Sequence, residues 1–166
     1  SCLNSDNLTA VNFKSGSRLT RIAENAFSGC SNLPEITIPQ GVTEIGENAF
    51  AYCDKLERVI VENGNTAYSS EDGVLYNSDK TVLIYYPQNK TDETFTVPSS
   101  VTHIEKYAFR GNKHINTVNM QSVQEVGLFA FVGCENLENV NAGENTDFFD
   151  NPLIGINGLK FRNASF

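Results

Sequence analysis

Positive charge is scarce in this chain: 12 Lys and Arg stand against 20 Asp and Glu, a net charge of −8 over 166 residues. That balance lacks the basic footprint that phosphate backbones and anionic headgroups require, which excludes nucleic acid as a partner class. Long apolar runs are missing as well. No stretch approaches the roughly 20 apolar residues of a membrane helix. Ser1 does not open a signal peptide, so the expectation is a soluble chain whose targeting segments, if any, lie beyond it. Catalytic signatures are equally absent: there is no GxSxG, no HExxH, no P-loop and no GxGxxG beside a βαβ unit. The chain is therefore expected to be no enzyme and to use no cofactor.

Histidine and cysteine are too few and too dispersed for a metal centre. His103 falls in a turn column shared with Arg21, Glu44 and Glu125, and His114 falls in a loop, so both read as solvated surface rather than as ligands or a general base. CxxC zinc spacing is lacking. Glu24 and Glu47 share a column and could pair as carboxylates, but Lys106 and Leu128 interrupt it, which favours a mildly unfavourable exposed pair over a calcium site. Cys30, Cys53 and Cys134 each follow a Phe by three residues, with Asn112 in the same place elsewhere. Equivalent positions suggest a column of buried thiols acting as small hydrophobes, with a stacked Cys30–Cys53 disulfide as the main alternative.

What is present is a repeat. "ENAFSGCSNL" at 24–33 returns as "ENAFAYCDKL" at 47–56, "KYAFRGNKHI" at 106–115 and "LFAFVGCENL" at 128–137. Anchored on Phe27, Phe50, Phe109 and Phe131, the residue five earlier is Ile22, Ile45, Ile104 or Val126. The residue six later is Leu33, Leu56, Ile115 or Leu137. Nine and eleven residues after each Phe come Ile36/Ile38, Val59/Val61, Val118/Met120 and Val140/Ala142, the period-2 alternation of a short strand. Units this small cannot hide their own apolar face, so stacking must supply the core, and identical columns arise because every unit meets the same environment. Ala before each Phe marks a close approach of backbones, and Pro39 and Pro98 end their strands at little cost to pairing.

Six rungs are predicted, near Val11, Ile36, Val59, Phe95, Val118 and Val140. They form one domain over 1–166, interrupted by an insertion at 65–90. That insertion holds two strand candidates, Val74 to Tyr76 and Val82 to Tyr86, joined by "NSDKT", and so reads as a β-hairpin. Tyr76, Tyr85 and Tyr86 could be exposed to stack on sugars or anchor a partner, but the continuous "VLIYY" favours burial. Residues 145–161 loosely echo the insertion, and Cys2 resembles the tail of an earlier repeat, so both ends look like cuts through a longer array. Asn7, Asn89 and Asn163 begin N-x-S/T sequons.

The phrase "IAENAFSGCSNLPEITIPQGVTEI" at 22–45 resembles the BspA-type leucine-rich repeat, and the likeness spans nearly the whole chain, including the "DGVLY" and "YYP" elements of the insertion. Departures are Asn112 in the Cys column and Glu62, Gln121 and Gly143 where Pro follows other strands. The resemblance implies a regularly coiled solenoid, mainly β with short turn helices. It also implies an extracellular or cell-surface protein that serves as a non-catalytic adhesion or interaction scaffold for a protein or glycan ligand. No catalytic residue transfers. Outward strand positions are free to vary while inward ones hold the fold, so Glu35, Thr37, Arg58, Ile60, Thr117, Asn119, Asn139 and Asn141 form the candidate contact face. The rival reading is an architectural spacer projecting another domain, and exposed terminal rungs predict end-to-end self-association.

Overall fold

Residues 7–148 and 160–163 are described by the computed structural model, of the last four only the backbone. Strands β1 (Arg21–Ile22), β2 (Glu35–Ile38), β3 (Glu44–Ile45) and β4 (Arg58–Val61) precede the insertion. Strands β5 (Tyr68–Glu71), β6 (Val74–Asn77) and β7 (Val82–Tyr85) make it up. There follow β8 (Thr94–Thr96), β9 (His103–Ile104), β10 (Thr117–Met120), β11 (Glu125–Val126), β12 (Asn139–Ala142), β13 (Asp147–Phe148) and β14 (Lys160–Asn163). Apart from β5 and β6, which join the second sheet antiparallel, successive strands alternate between two parallel walls, which makes the chain a β-solenoid of about six turns. One wall stacks β2 on β4 and β8-β10-β12-β14, and the other stacks β1 on β3 and β7-β9-β11-β13.

The predicted columns are the observed registers. Ile36 pairs with Val59, Phe95 with Val118 and Val118 with Val140. On the second wall Ile22 pairs with Ile45, Leu83 with Ile104 and Ile104 with Val126. Inward side chains at these positions are buried, Ile45 and Phe95 partly so, and outward ones are not, as alternation requires. The aromatic column also forms: Phe27 stacks on Phe50 at 6.1 Å, Tyr86 on Phe109 at 4.7 Å and Phe109 on Phe131 at 4.8 Å.

The turns that carry these rings, expected as short helices, are not helical, and no helix occurs among the described residues. The hydrogen bonds explain why. Alternate amides close tight turns within the segment, Ala26 to Ala23, Ser28 to Asn25 and Cys30 to Phe27. The amides between them donate to the next rung, Asn25 to Glu47 (3.0 Å), Phe27 to Ala49 (2.9 Å) and Gly29 to Ala51 (2.8 Å). Every other donor is thus committed outside the segment, and left-handed residues at Asn25 and Gly29 break helical progression. The equivalents Asn48, Tyr107 and Phe129, and Tyr52, Gly111 and Gly133, are left-handed too.

The thiol column also works through the neighbouring rung. Cys53 Sγ donates to the Phe27 carbonyl at 3.1 Å and Cys134 Sγ to the Phe109 carbonyl at 3.0 Å. Both are free buried thiols, whereas Cys30 is in a disulfide. The stacked Cys30–Cys53 bond is therefore not made. Cys2 lies outside the described residues. Asn112, the exception in the column, is fully buried and donates from Nδ2 to the carbonyls of Pro87 (3.0 Å) and Lys90 (2.9 Å). Its Oδ1 accepts from the amides of His114 and Ile115. Asn65 repeats the device on Pro39, Val42, Ala67 and Tyr68.

The insertion has three strands rather than two. β5 pairs antiparallel with β6 and β6 with β7, while β7 pairs parallel with β9 and so serves as a rung of the second wall. β6 is buried on both faces: Leu75 joins the lower apolar cluster, and Val74 and Tyr76 join the upper. That accounts for its unbroken apolar run. Tyr76 and Tyr86 are buried and Tyr85 is half-buried, which rules against exposed sugar platforms there. The rung predicted near Val11 forms no strand; Leu8, Val11 and Phe13 pack on the lower cluster, with Phe13 edge-on to Phe27. Of the echo at 145–161, most lies outside the described residues, and its ends continue the two walls as β13 and β14.

Candidate functional site

Strand alternation turns all eight predicted face residues away from the core, but the face is not continuous. Glu35 stands beside Arg58 and Thr37 beside Ile60 on β2 and β4. Arg58 Nη2 reaches Glu35 Oε2 at 2.6 Å, and Ile60, 38 % exposed, supplies apolar surface. Thr117 stands beside Asn139 and Asn119 beside Asn141 on β10 and β12. Their amides are spent along the wall: Asn141 donates to Asn119 at 2.7 Å, Asn119 to Thr96 at 3.2 Å and Asn139 to Thr117 at 3.4 Å. One patch is therefore charged and apolar, and the other is a neutral polar ladder.

The tip of the insertion separates them. Gly73 offers its carbonyl to the Val59 amide at 2.9 Å and lies so close to Arg58 that a Cβ there would sit 3.2 Å from the Arg58 Cα. Asp72 next to it accepts from Lys90 at 3.1 Å, and Asp92 does so at 2.8 Å. Burial of Lys90 opposes its charge, but the hydrogen bonds it donates to Asp92 and Asp72 outweigh this and hold its pKa above the ordinary value. Lys90 in turn holds Asp92 low.

Of the single residues weighed above, His103 lies between Glu125 (3.2 Å) and Glu105 (3.8 Å), and His114 meets Asn89 at 3.1 Å. Glu47 is not left against Glu24, because Lys106 crosses to it at 2.8 Å. No group of three or more metal-ligating side chains occurs among the described residues. Burial pushes the thiols of Cys53 and Cys134 up to about 12, so neither is a nucleophile at neutral pH.

Sequence reasoning missed a cleft of about 340 Å³ between the turn at 45–51 and the turn at 105–110. Its cause is a length difference. Ile45 to Phe50 and Ile104 to Phe109 each take five steps, but Leu83 reaches the aromatic column at Tyr86 in three. The inserted rung cuts the corner that its neighbours go around. Phe50, Tyr68, Leu75, Ile84 and Tyr85 line the interior, and Lys106 and Arg110 stand at one wall. At the rim the Arg110 guanidinium lies 4.6 Å from the Tyr52 ring centre and 5.0 Å from that of Tyr107, and it donates to the Tyr52 hydroxyl. Tyr52, 57 % exposed, holds φ of 58° where Gly29, Gly111 and Gly133 stand in other rungs. That exchange, and the short spacing from Leu83 to Tyr86, were visible in the sequence as signals.

The BspA type leucine-rich repeat region matches the chain in six copies, over residues 1–92 and 80–153. Among solved structures, the chain is 25 % identical to the pneumococcal vaccine antigen PcpA, with a TM-score of 0.75, covering 95 % of this chain and 52 % of that one. A leucine-rich cell surface protein of Faecalibacterium prausnitzii is 29 % identical at a TM-score of 0.68, covering 86 % and 44 %. A leucine-rich repeat protein of Eubacterium ventriosum is 28 % identical at 0.63, covering 75 % and 40 %. The chain thus spans about half the length of these relatives or less. No curated protein matches it. With the columns, registers and turns above carrying the repeat in three dimensions, the chain belongs to the BspA-type leucine-rich repeat family.

Proposed function

We propose that this chain is a non-catalytic protein-interaction and adhesion module of a cell-surface or secreted protein, working through the outward side chains of its first wall. The observation that carries the reading is the separation of duties along β2, β4, β10 and β12: inward residues are buried in columns, and Glu35, Thr37, Arg58, Ile60, Thr117, Asn119, Asn139 and Asn141 project away from them. A rigid wall of this kind presents contacts at fixed spacing and loses little conformational freedom on binding. The cell-surface setting draws on the family and on the surface-protein relative from Faecalibacterium prausnitzii, and the disulfide at Cys30 suits an oxidising compartment. Host attachment is the use such a module would serve.

A spacer role is the second reading, favoured by the Asn141–Asn119–Thr96 ladder, which ties neighbouring rungs together and uses up donors a ligand would need. Beads coated with the chain and washed over immobilised extracellular matrix separate the two. Arg58→Ala with Thr117→Ala, at unchanged melting temperature, should reduce bead retention at least fivefold. Retention equal to that of the parent chain would eliminate the face and leave the spacer.

A further inference from the structure

The cleft opposite that wall is a skipped turn, and its two sides keep the main-chain groups that a turn would have used. At the joint below, Asn25, Phe27 and Gly29 donate to the next rung, and at the joint above, Tyr107, Phe109 and Gly111 donate to Leu128 (3.2 Å), Ala130 (2.7 Å) and Val132 (2.8 Å). Between them the sequence of bonds breaks. Among the described residues, the equivalent amides of Asn48, Phe50 and Tyr52 have no backbone acceptor. On the facing turn the carbonyls at the rung-to-rung positions are those of Lys106, Ala108 and Arg110; Ala108 accepts from Tyr86 at 2.8 Å, while Lys106 and Arg110 receive no backbone amide among the described residues. One wall therefore offers donors and the other offers acceptors.

The side chains around this gap fit the same picture. Position 105 is Glu where the stacked rungs have Gly46 and Gly127. Each of those glycines lies against the backbone below it, a Cβ on Gly46 falling 2.7 Å from the Ala23 carbonyl carbon and one on Gly127 2.8 Å from that of Glu105. Glu105 tolerates a side chain because the cleft, not a turn, lies beneath it. Phe50, Ile84 and Tyr85 make an apolar interior, and Tyr68 caps the open edge of β3 by accepting from the Ile45 amide at 3.0 Å. Lys106 is neutralised by Glu47, but Arg110 pairs with no carboxylate among the described residues and is held only by Tyr52 and Tyr107. Tyr52 keeps its left-handed backbone, a conformation that non-glycine residues rarely adopt, to stand at this rim.

We propose that the cleft binds a short turn-forming peptide segment of a partner protein, whose main chain completes the skipped turn between Asn48–Tyr52 and Lys106–Arg110. One apolar side chain of that segment enters against Phe50 and Tyr85, and one carboxylate meets Arg110. This is strand addition applied to a solenoid turn, with main-chain bonds supplying affinity and the pocket and Arg110 supplying selectivity. The volume of about 340 Å³ limits the part of the segment that enters the cleft to a few residues. The site does not involve the first wall, so failure of the bead assay leaves it standing.

The probe is a blocked synthetic peptide carrying residues 45–52 of this chain, the turn written once more, together with the same peptide bearing Gln in place of its Glu. Titrated into ¹⁵N-labelled chain, the Glu peptide should shift the amide resonances of Asn48, Phe50, Tyr52 and Arg110 and leave those of β10 and β12 unmoved. The Gln peptide, and the Arg110→Ala chain against the Glu peptide, should each bind at least fivefold more weakly. Tyr52→Gly, which removes the rim contact and the left-handed tyrosine together, should weaken binding while holding or raising the melting temperature. No shift at these amides up to millimolar peptide, shifts confined to β10 and β12, or the same amides responding to galactose or N-acetylglucosamine but not to the peptide would each overturn the proposal.

Discussion

At the scale of single residues, most of this molecule is decided by what lies one rung away. Gly127 does not lie in the left-handed region, yet alanine there would press its Cβ into the Glu105–Lys106 peptide. Gly127→Ala is expected to cost about 1–3 kcal/mol, measured by chemical denaturation, through overpacking against backbone that cannot yield. Glu105→Gly, the reverse exchange over the cleft, is expected to stay within about 1 kcal/mol of the parent. Cys53 and Cys134 test the same dependence chemically. Burial raises both thiols to about 12 and each donates to a carbonyl of the preceding rung. Iodoacetamide at pH 8 should therefore label neither in the native chain and both after denaturation; labelling of the native chain would contradict the buried column.

At the scale of elements, the insertion is held by two side chains that do unlike jobs. Asn112 satisfies two carbonyls at the end of the inserted rung and two amides of its own turn. Asn112→Ala should cost about 3 kcal/mol, because several buried polar groups lose partners at once. Lys90 instead ties the hairpin tip to the approach to β8. The Asp92 carboxyl, held below its ordinary 3.8, contributes stability that is present above that pH and lost as pH falls through the lower folded value. Lys90, held above its ordinary 10.5, contributes stability that is present below that pH and lost as pH rises through the higher folded value. Thermal melting against pH should accordingly fall at both limits. Lys90→Met, which fills the same space without charge, should flatten both limbs relative to the parent.

At the scale of the whole molecule, the two walls leave open edges where stacking stops. Among the described residues β1 pairs only with β3 and β2 only with β4, and the segment before them forms no strand. Unpaired strand edges recruit further strands, so the mass of this chain in light scattering should rise with concentration. A constant monomer mass at high concentration would mean that Leu8, Val11 and Phe13 cover the edge well enough to block stacking.

The repeating columns were legible because a solenoid meets the same environment every turn, so burial writes the same apolar residue at Ile22 and Ile45, and at Phe109 and Phe131, in plain view of the reader. By itself, then, the order of residues determined the rungs after the one expected near Val11, their register, the outward positions and the place of the insertion. It did not determine that β7 would serve as a rung, that the tip at Asp72 and Gly73 would split the face, or that a turn two residues short would leave a cleft holding Arg110 between two tyrosines. Those features come from where an irregular segment comes to rest against regular ones. Repetition records the environment that units share, and only the folded arrangement settles what happens where they stop being alike.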